Sequence, residues 1–83
     1  MKVAVIGAGS WGTALAQTLA LNGHNVSLWA RKDSVVHGIN HEHVNPRYLS
    51  DAKLSDNIVA TTSYRDALLR AKAAVTVTPS NLL

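Results

Sequence analysis

The sequence feature that most constrains this chain is a Gly-x-Gly-x-x-Gly pattern at residues 7–12, directly after the apolar residues 3–6. In isolation the pattern is weak, but between a strand and a helix it is typical of a dinucleotide-binding turn. Gly7 permits the tight turn, Gly9 lets the backbone approach a diphosphate, and Gly12 lets the helix pack closely on the sheet. The diphosphate would lie at the helix N-terminus, where unpaired N–H groups and the helix dipole favour negative charge.

The composition is that of a globular domain, because 47% of the 83 residues are hydrophobic and only 16% are charged. No apolar run approaches the roughly 18 residues that a membrane-spanning helix requires. The N-terminus enters the first strand at once and carries no cleavage site of a signal peptide. The chain contains no cysteine, which excludes disulfides and cysteine-based metal sites. We therefore expect a cytoplasmic protein without membrane insertion.

The chain is mildly basic, with a formal net charge of +3. Its lysines and arginines are scattered rather than gathered into the stripe typical of a nucleic-acid interface, so an anionic small ligand is the better match. His37 and His41 are spaced like a zinc-binding pair and His43 is close by, but no accompanying signature supports a metal site. We interpret them as exposed loop residues. We expect neither a metal site nor catalytic residues in this chain.

Strand-like and helix-like segments alternate along the chain. The predicted strands are residues 2–6, 25–30, 58–61 and 73–78, and the predicted helices are residues 10–21, 33–40 and 63–71. This alternation predicts an α/β fold with a Rossmann-type, doubly wound parallel sheet. Since a complete dinucleotide domain has about six strands, we expect residues 1–83 to be the N-terminal part of such a domain. The catalytic and substrate-binding domain would then be absent from this chain.

The first predicted helix carries two candidate ligand residues. Ser10 can cap the helix, and its hydroxyl can also reach a phosphate oxygen. Trp11 begins an apolar stripe that continues through Leu15 and Leu19 and is predicted to face the sheet. We expect Trp11 to contribute a backbone N–H to the phosphates and to pack partially. The alternative, that its ring only anchors the helix, stays open.

The end of the second strand decides which dinucleotide is preferred. Arg31 lies 19 residues after Gly12, about where an NAD-binding site places an acid on the ribose hydroxyl. A guanidinium can instead pair with a 2′-phosphate through two hydrogen bonds. Arg31 and Lys32 therefore predict that NADP(H) is preferred, with NAD as the second option. The alternative is that both are merely solvated residues that follow a strand.

Several segments match one family of enzymes in the order in which that family has them. They are residues 7–16, 22–24, 28–31, 45–49, 56–58, 60–62 and 79–80. Through these segments the chain resembles bacterial NAD(P)-dependent glycerol-3-phosphate dehydrogenase. The tryptophan within the glycine pattern and the Asn-Pro-Arg-Tyr-Leu segment at 45–49 are far more specific than the glycines.

The resemblance implies reversible hydride transfer between NAD(P)H and dihydroxyacetone phosphate, which gives sn-glycerol 3-phosphate for glycerophospholipid synthesis. By position, Ser10 and Trp11 match residues that contact the cofactor in the family. Arg31 and Lys32 match the segment at the adenosine ribose, and Tyr48 lies in a segment near the cofactor. The family's catalytic lysine comes later in the chain, so we expect residues 1–83 alone to be inactive. The full-length enzyme would be a homodimer.

The chain departs from the family at its fourth strand. Lys72 replaces an acid that usually precedes this strand, and Thr78 stands before Pro79, which puts the packing of the strand in doubt. Two other functions remain open. One is the NADP-binding domain of another dehydrogenase of related architecture, against which the segment 45–49 argues. The other is a non-catalytic nucleotide-sensing Rossmann module.

Overall fold

The computed structural model describes residues 1–48, 50–51 and 53–77, and these form one parallel sheet with helices on both faces. The strands are β1 (Lys2–Ile6), β2 (Asn25–Trp29), β3 (Ile58–Thr61) and β4 (Ala73–Thr76). The helices are α1 (Ser10–Leu21), α2 (Asp33–His37) and α3 (Tyr64–Leu68), and a π-helical turn, Gly38–Glu42, continues α2.

The strand order is β3-β2-β1-β4, and every pairing is parallel. This is the order of the first four strands of the dinucleotide-binding fold. The first two crossovers run toward one edge of the sheet and the third runs toward the other. Right-handed crossovers therefore place α1 and α2 on one face and α3 on the opposite face. The predicted doubly wound α/β class is confirmed.

The core lies between the sheet and the helices on one of its faces, α1 and α2 with its π-helical continuation. Alternate residues of β1, β2 and β3, such as Val5, Leu28 and Ile58, form one apolar cluster with Ala16 and Ala20 of α1. Parallel strands that are covered on both faces favour such β-branched and aliphatic residues. The core therefore holds the carboxyl ends of β1 and β2 side by side.

The predicted stripe of α1 is only partly correct, because Leu15 and Leu19 pack half-buried against the core but Trp11 does not. The residues buried against the sheet are Gly12, Thr13, Ala16 and Ala20, whereas the side chain of Trp11 is 81% exposed. Small side chains let the helix axis approach the sheet closely, so the buried face is the one with the smallest residues. The predicted packing of Trp11 is therefore not observed, and its ring projects from the start of the helix.

The predicted bounds of α1 are confirmed, but its cap and the extents of the other two helices differ from the prediction. Gly9 rather than Ser10 is the N-cap of α1, no side chain caps that helix, and Ser10 is its first helical residue. The predicted second helix divides into α2 and the π-helical turn at Gly38. The third helix is shorter than predicted, although Ser63 caps it as expected by accepting a hydrogen bond from the Asp66 amide (3.2 Å).

The fourth strand pairs normally in spite of Lys72. The Lys72 amide donates to the Lys2 carbonyl (2.8 Å), and the Val77 amide donates to the Ile6 carbonyl (2.9 Å). All four residues of β4 are exposed, so this strand is held by its ladder with β1 and has little cover on its faces. Thr78 and Pro79, the other part of this expectation, lie outside the described residues.

No helix in the described part of the chain is both long and apolar enough to cross a membrane.

Candidate functional site

A groove of about 910 Å³ opens at the carboxyl ends of β1, β2 and β4. It lies where the sheet order reverses, between β1 and β4, which is where ligands bind in open α/β sheets. The residues predicted to contact the cofactor all line this groove: Gly7, Gly9, Ser10, Trp11, Gly12, Arg31, Lys32 and Tyr48. The structure thus brings them together, and their contact with a dinucleotide stays a prediction.

The three glycines of the turn have different surroundings. Gly7 adopts a φ of +125°, and a Cβ built on it would lie 2.5 Å from the Val77 carbonyl oxygen. A Cβ on Gly12 would overlap the carbonyl oxygen of Gly7, so α1 can approach the turn only because this position has no side chain. A Cβ on Gly9 would meet nothing within 4 Å. The protein's own backbone requires Gly7 and Gly12, whereas Gly9 leaves space open for a ligand.

The start of α1 presents backbone donors to the groove. The first hydrogen bond of the helix runs from the Thr13 amide to the Gly9 carbonyl (2.9 Å), so the amides that precede Thr13 have no carbonyl partner within the helix. The first turn of α1 carries no acidic residue that would compete for these amides. The dipole of this 12-residue helix adds partial positive charge at the same end. The arrangement suits a diphosphate.

Basic side chains follow β2 at the rim of the groove. Arg31 and Lys32 are both exposed there, and Lys32 occupies the extended N-cap position of α2. The next residue, Asp33, is exposed in the first turn of α2 and is not part of the groove lining. The rim at this point therefore offers cations to a ligand.

The groove also contains an aromatic pair that the sequence analysis missed. The rings of Trp29 and Tyr64 stack with centroids 4.3 Å apart and an interplanar angle of 9°. The Trp29 indole N–H donates to the Thr62 carbonyl (2.9 Å), which fixes the orientation of the Trp29 ring. Both rings line the groove. These residues lie 35 positions apart, and only the adjacency of β2 and β3 brings them together.

A second missed residue, Asn45, lies directly behind the glycine turn. Its side chain is fully buried and donates to the Ala8 carbonyl (2.9 Å) and to the Thr13 hydroxyl (2.9 Å). It also accepts hydrogen bonds from the amides of Arg47 (3.0 Å) and Tyr48 (3.2 Å). The segment 45–49 could have indicated this residue, but the sequence analysis used that segment only as evidence for the family. Leu49 of that segment lies outside the described residues.

The histidines lie away from the groove. The rings of His37 and His41 are 4.4 Å apart, and His43 lies 3.5 Å from the Asp56 carboxylate. Over residues 1–48, 50–51 and 53–77, no three side chains of the metal-binding types are grouped closely enough to hold an ion.

Comparison with known proteins decides the family. The sequence model of the family described as NAD-dependent glycerol-3-phosphate dehydrogenase N-terminus matches residues 2–83. The chain belongs to this family. The resemblance inferred from the sequence is confirmed.

Individual relatives agree with this assignment. The chain is 47% identical over 79 residues to glycerol-3-phosphate dehydrogenase [NAD(P)+] of Limosilactobacillus reuteri, and 50% identical over 80 residues to that of Stenotrophomonas maltophilia. These matches cover 95% and 96% of this chain, but only 23% and 24% of the relatives. The chain thus spans about a quarter of the length of the curated relatives that it matches.

Solved structures of glycerol-3-phosphate dehydrogenases share the fold. The crystal structure from Coxiella burnetii superposes with a TM-score of 0.86 at 37% identity, over 95% of this chain and 24% of that chain. The structure from Saccharomyces cerevisiae gives a TM-score of 0.86 at 29% identity, over 99% and 27% of the two chains.

Proposed function

We propose that this chain is the cofactor-binding portion of a longer protein, here called the parent enzyme, that interconverts dihydroxyacetone phosphate and sn-glycerol 3-phosphate. The single observation that carries the proposal is the glycine turn of a glycerol-3-phosphate dehydrogenase N-terminal domain, which opens on a groove lined by backbone amides. The substrate site and the catalytic residues would belong to the part of the parent enzyme outside these 83 residues.

The groove fits a dinucleotide in three ways. The amides at the start of α1 suit the diphosphate, the open space at Gly9 allows close approach, and the cations at Arg31 and Lys32 suit the adenosine end. When bound, the nicotinamide supplies or accepts the hydride. The chain's own residues bind the cofactor, orient it and exclude water from its phosphates.

We propose further that the parent enzyme prefers NADP(H) and accepts NAD(H). Arg31 and Lys32 place two cations at the position where an NAD-specific site has an acid, and a 2′-phosphate would neutralise them. Ser10, Trp11 and Tyr48 are assigned to the same site because they line the same groove.

The remaining assignments are proposals that rest on the family. We propose that the parent enzyme is a cytoplasmic homodimer that serves glycerophospholipid synthesis and does not insert into membranes. Light scattering of the purified parent enzyme tests the dimer, because the measured mass should be twice that of one chain.

The activity is tested by following NADPH absorbance with the purified parent enzyme. We expect oxidation of NADPH that depends on dihydroxyacetone phosphate, and the reverse reaction with sn-glycerol 3-phosphate and NADP+. The 83-residue chain is the matched control and should show no turnover. Oxidation with another carbonyl substrate but not with dihydroxyacetone phosphate would identify a different dehydrogenase. Tight binding of NADPH without turnover of any substrate would identify a nucleotide-sensing module.

A further inference from the structure

We propose that the loop through Asn45 and Arg47 forms a second wall of the dinucleotide groove, next to the start of α1. In this assignment Asn45 is a positioning residue that orients the glycine turn, and Arg47 contributes a cation to the diphosphate. The inference rests on the proposed function only in taking a dinucleotide as the ligand. It adds two residues to the binding site that the glycine turn and the residues after β2 do not account for.

The side chain of Asn45 uses its whole hydrogen-bonding capacity. Both N–H groups donate inward, to the Ala8 carbonyl and the Thr13 hydroxyl, and the carbonyl oxygen accepts from the amides of Arg47 and Tyr48. Because the side chain is fully buried, any lost partner would leave an unsatisfied polar group in the interior. Asn45 therefore joins the glycine turn rigidly to the loop that carries Arg47.

The contact with Ala8 controls a ligand-binding amide. In a trans peptide the C=O and N–H bonds point in opposite directions. The described residues contain no cis peptide, and Asn45 holds the Ala8 carbonyl toward the interior. The amide of Gly9, which belongs to the same peptide unit, is thereby directed away from the interior. The Thr13 hydroxyl strengthens this orientation because it also donates to the Ala8 carbonyl (3.3 Å).

The loop that carries Arg47 is also held by the π-helical turn that precedes it in the chain. His43 adopts a left-handed conformation with a φ of 59°, and the following amide, that of Val44, donates to the Gly38 carbonyl (3.2 Å). A Cβ on Gly38 would lie 2.7 Å from Cδ of Pro46, so the proline ring packs directly on this glycine. These contacts hold the backbone immediately before Arg47 in one place.

Arg47 is available to a ligand. Its side chain is exposed and lines the groove together with residues 7–12. Among residues 1–48, 50–51 and 53–77, Arg47 forms no ion pair with a carboxylate, and the one ion pair joins His43 to Asp56. A guanidinium can bind phosphate oxygens through two hydrogen bonds, and the fixed backbone spares the entropy cost of ordering the loop.

The position of Arg47 predicts a binding signature different from that of Arg31. Asn45 links the loop of Arg47 to the glycine turn, so the Arg47 cation would contact the diphosphate, which NADPH and NADH have in common. Arg31 follows β2 and would contact the 2′-phosphate, which only NADPH has. Loss of Arg47 should therefore weaken both dinucleotides by the same factor and leave their ratio unchanged.

The test measures dissociation constants of NADPH and NADH for variants of the parent enzyme by calorimetry. We expect Arg47→Gln to raise the dissociation constants of both dinucleotides by about tenfold, which corresponds to the loss of one charge-assisted hydrogen bond. Lys53→Gln is the matched control, because it removes the same charge from an exposed residue outside the groove lining and should change affinity less than about twofold.

The positioning role of Asn45 is tested by a double-mutant cycle. Asn45→Ala alone should weaken the binding of both dinucleotides by about tenfold or more. In that background, the further loss of affinity caused by Arg47→Gln should be much smaller than the loss that Arg47→Gln causes in the wild type. If Asn45→Ala does not fold, Asn45→Asp replaces it. The aspartate keeps an acceptor for the amides of Arg47 and Tyr48 but cannot donate to the Ala8 carbonyl when ionised. Its defect should therefore shrink as the pH is lowered and the carboxyl becomes a donor.

Each outcome has one meaning. If the wild type binds neither dinucleotide, the proposed function itself fails. If the wild type binds and Arg47→Gln behaves like Lys53→Gln, the second wall is wrong. If Arg47→Gln weakens NADPH alone, Arg47 contacts the 2′-phosphate and the diphosphate assignment is overturned. If the two substitutions of the cycle are fully independent, Asn45 does not act through the placement of Arg47.

Discussion

Replacement of Gly12 by alanine in the parent enzyme is expected to weaken the binding of both NADPH and NADH strongly and to destabilise the fold. The new Cβ would overlap the carbonyl oxygen of Gly7, so α1 or the turn must shift to make room. Overpacking of this kind typically costs about 1–3 kcal/mol of stability. The same shift displaces the amides that precede Thr13, and we expect affinity to fall by about a hundredfold or more. Urea unfolding and calorimetry measure the two effects.

Gly9→Ala is the matched control for that prediction. Gly9 has a φ of −77° and no atoms within 4 Å of the position of a Cβ, so alanine should cost less than about 1 kcal/mol of stability. Binding should nevertheless fall strongly, because the methyl group would occupy space reserved for the diphosphate. A Gly9→Ala protein with wild-type affinity, or a Gly12→Ala protein with wild-type stability, would contradict our interpretation of the turn.

Replacement of Arg31 by aspartate is expected to reverse the cofactor preference of the parent enzyme. A carboxylate at this position repels a 2′-phosphate and can accept a hydrogen bond from the 2′-hydroxyl of NADH. Loss of a charge-assisted pair together with the new repulsion should shift the ratio of the two dissociation constants by about a hundredfold or more toward NADH.

The neutral variant Arg31→Gln separates the two parts of this effect. It removes the cation without adding repulsion, so its ratio should lie between those of the wild type and Arg31→Asp. Competition of NADPH and NADH for the same enzyme measures all three ratios. An unchanged ratio in Arg31→Asp would mean that Arg31 and Lys32 are only solvated residues after β2.

Much of the fold was predictable because its signals are local. The β-branched run before Gly7 indicates a buried strand, and the glycine spacing indicates which helix must approach that strand closely. The serine at position 63 predicts the start of α3, and the structure shows its capping hydrogen bond. Each of these inferences uses residues that are close in sequence.

The errors have a common physical cause. Periodicity of large apolar side chains predicted that Trp11 faces the sheet, but the close approach at Gly12 selects the smallest residues for the buried face of α1. The division of the second helix at Gly38 depends on Pro46, which packs on that glycine from eight positions later in the chain. Local patterns do not contain such contacts.

The site residues that the sequence analysis missed are also held by contacts between distant parts of the chain. Asn45 contacts Ala8 across 37 positions, and Tyr64 stacks on Trp29 only because β2 and β3 are neighbours in the sheet. The sequence could show that the segment 45–49 was specific. Only the structure shows that one buried amide side chain supports both the glycine turn and the loop beside it.

The most direct test of the central claim is a crystal structure of the parent enzyme with NADP+ bound. We predict that the diphosphate oxygens lie about 3 Å from backbone nitrogens within residues 9–12, at the N-terminus of α1. A diphosphate bound elsewhere, with those amides facing only solvent, would contradict the account.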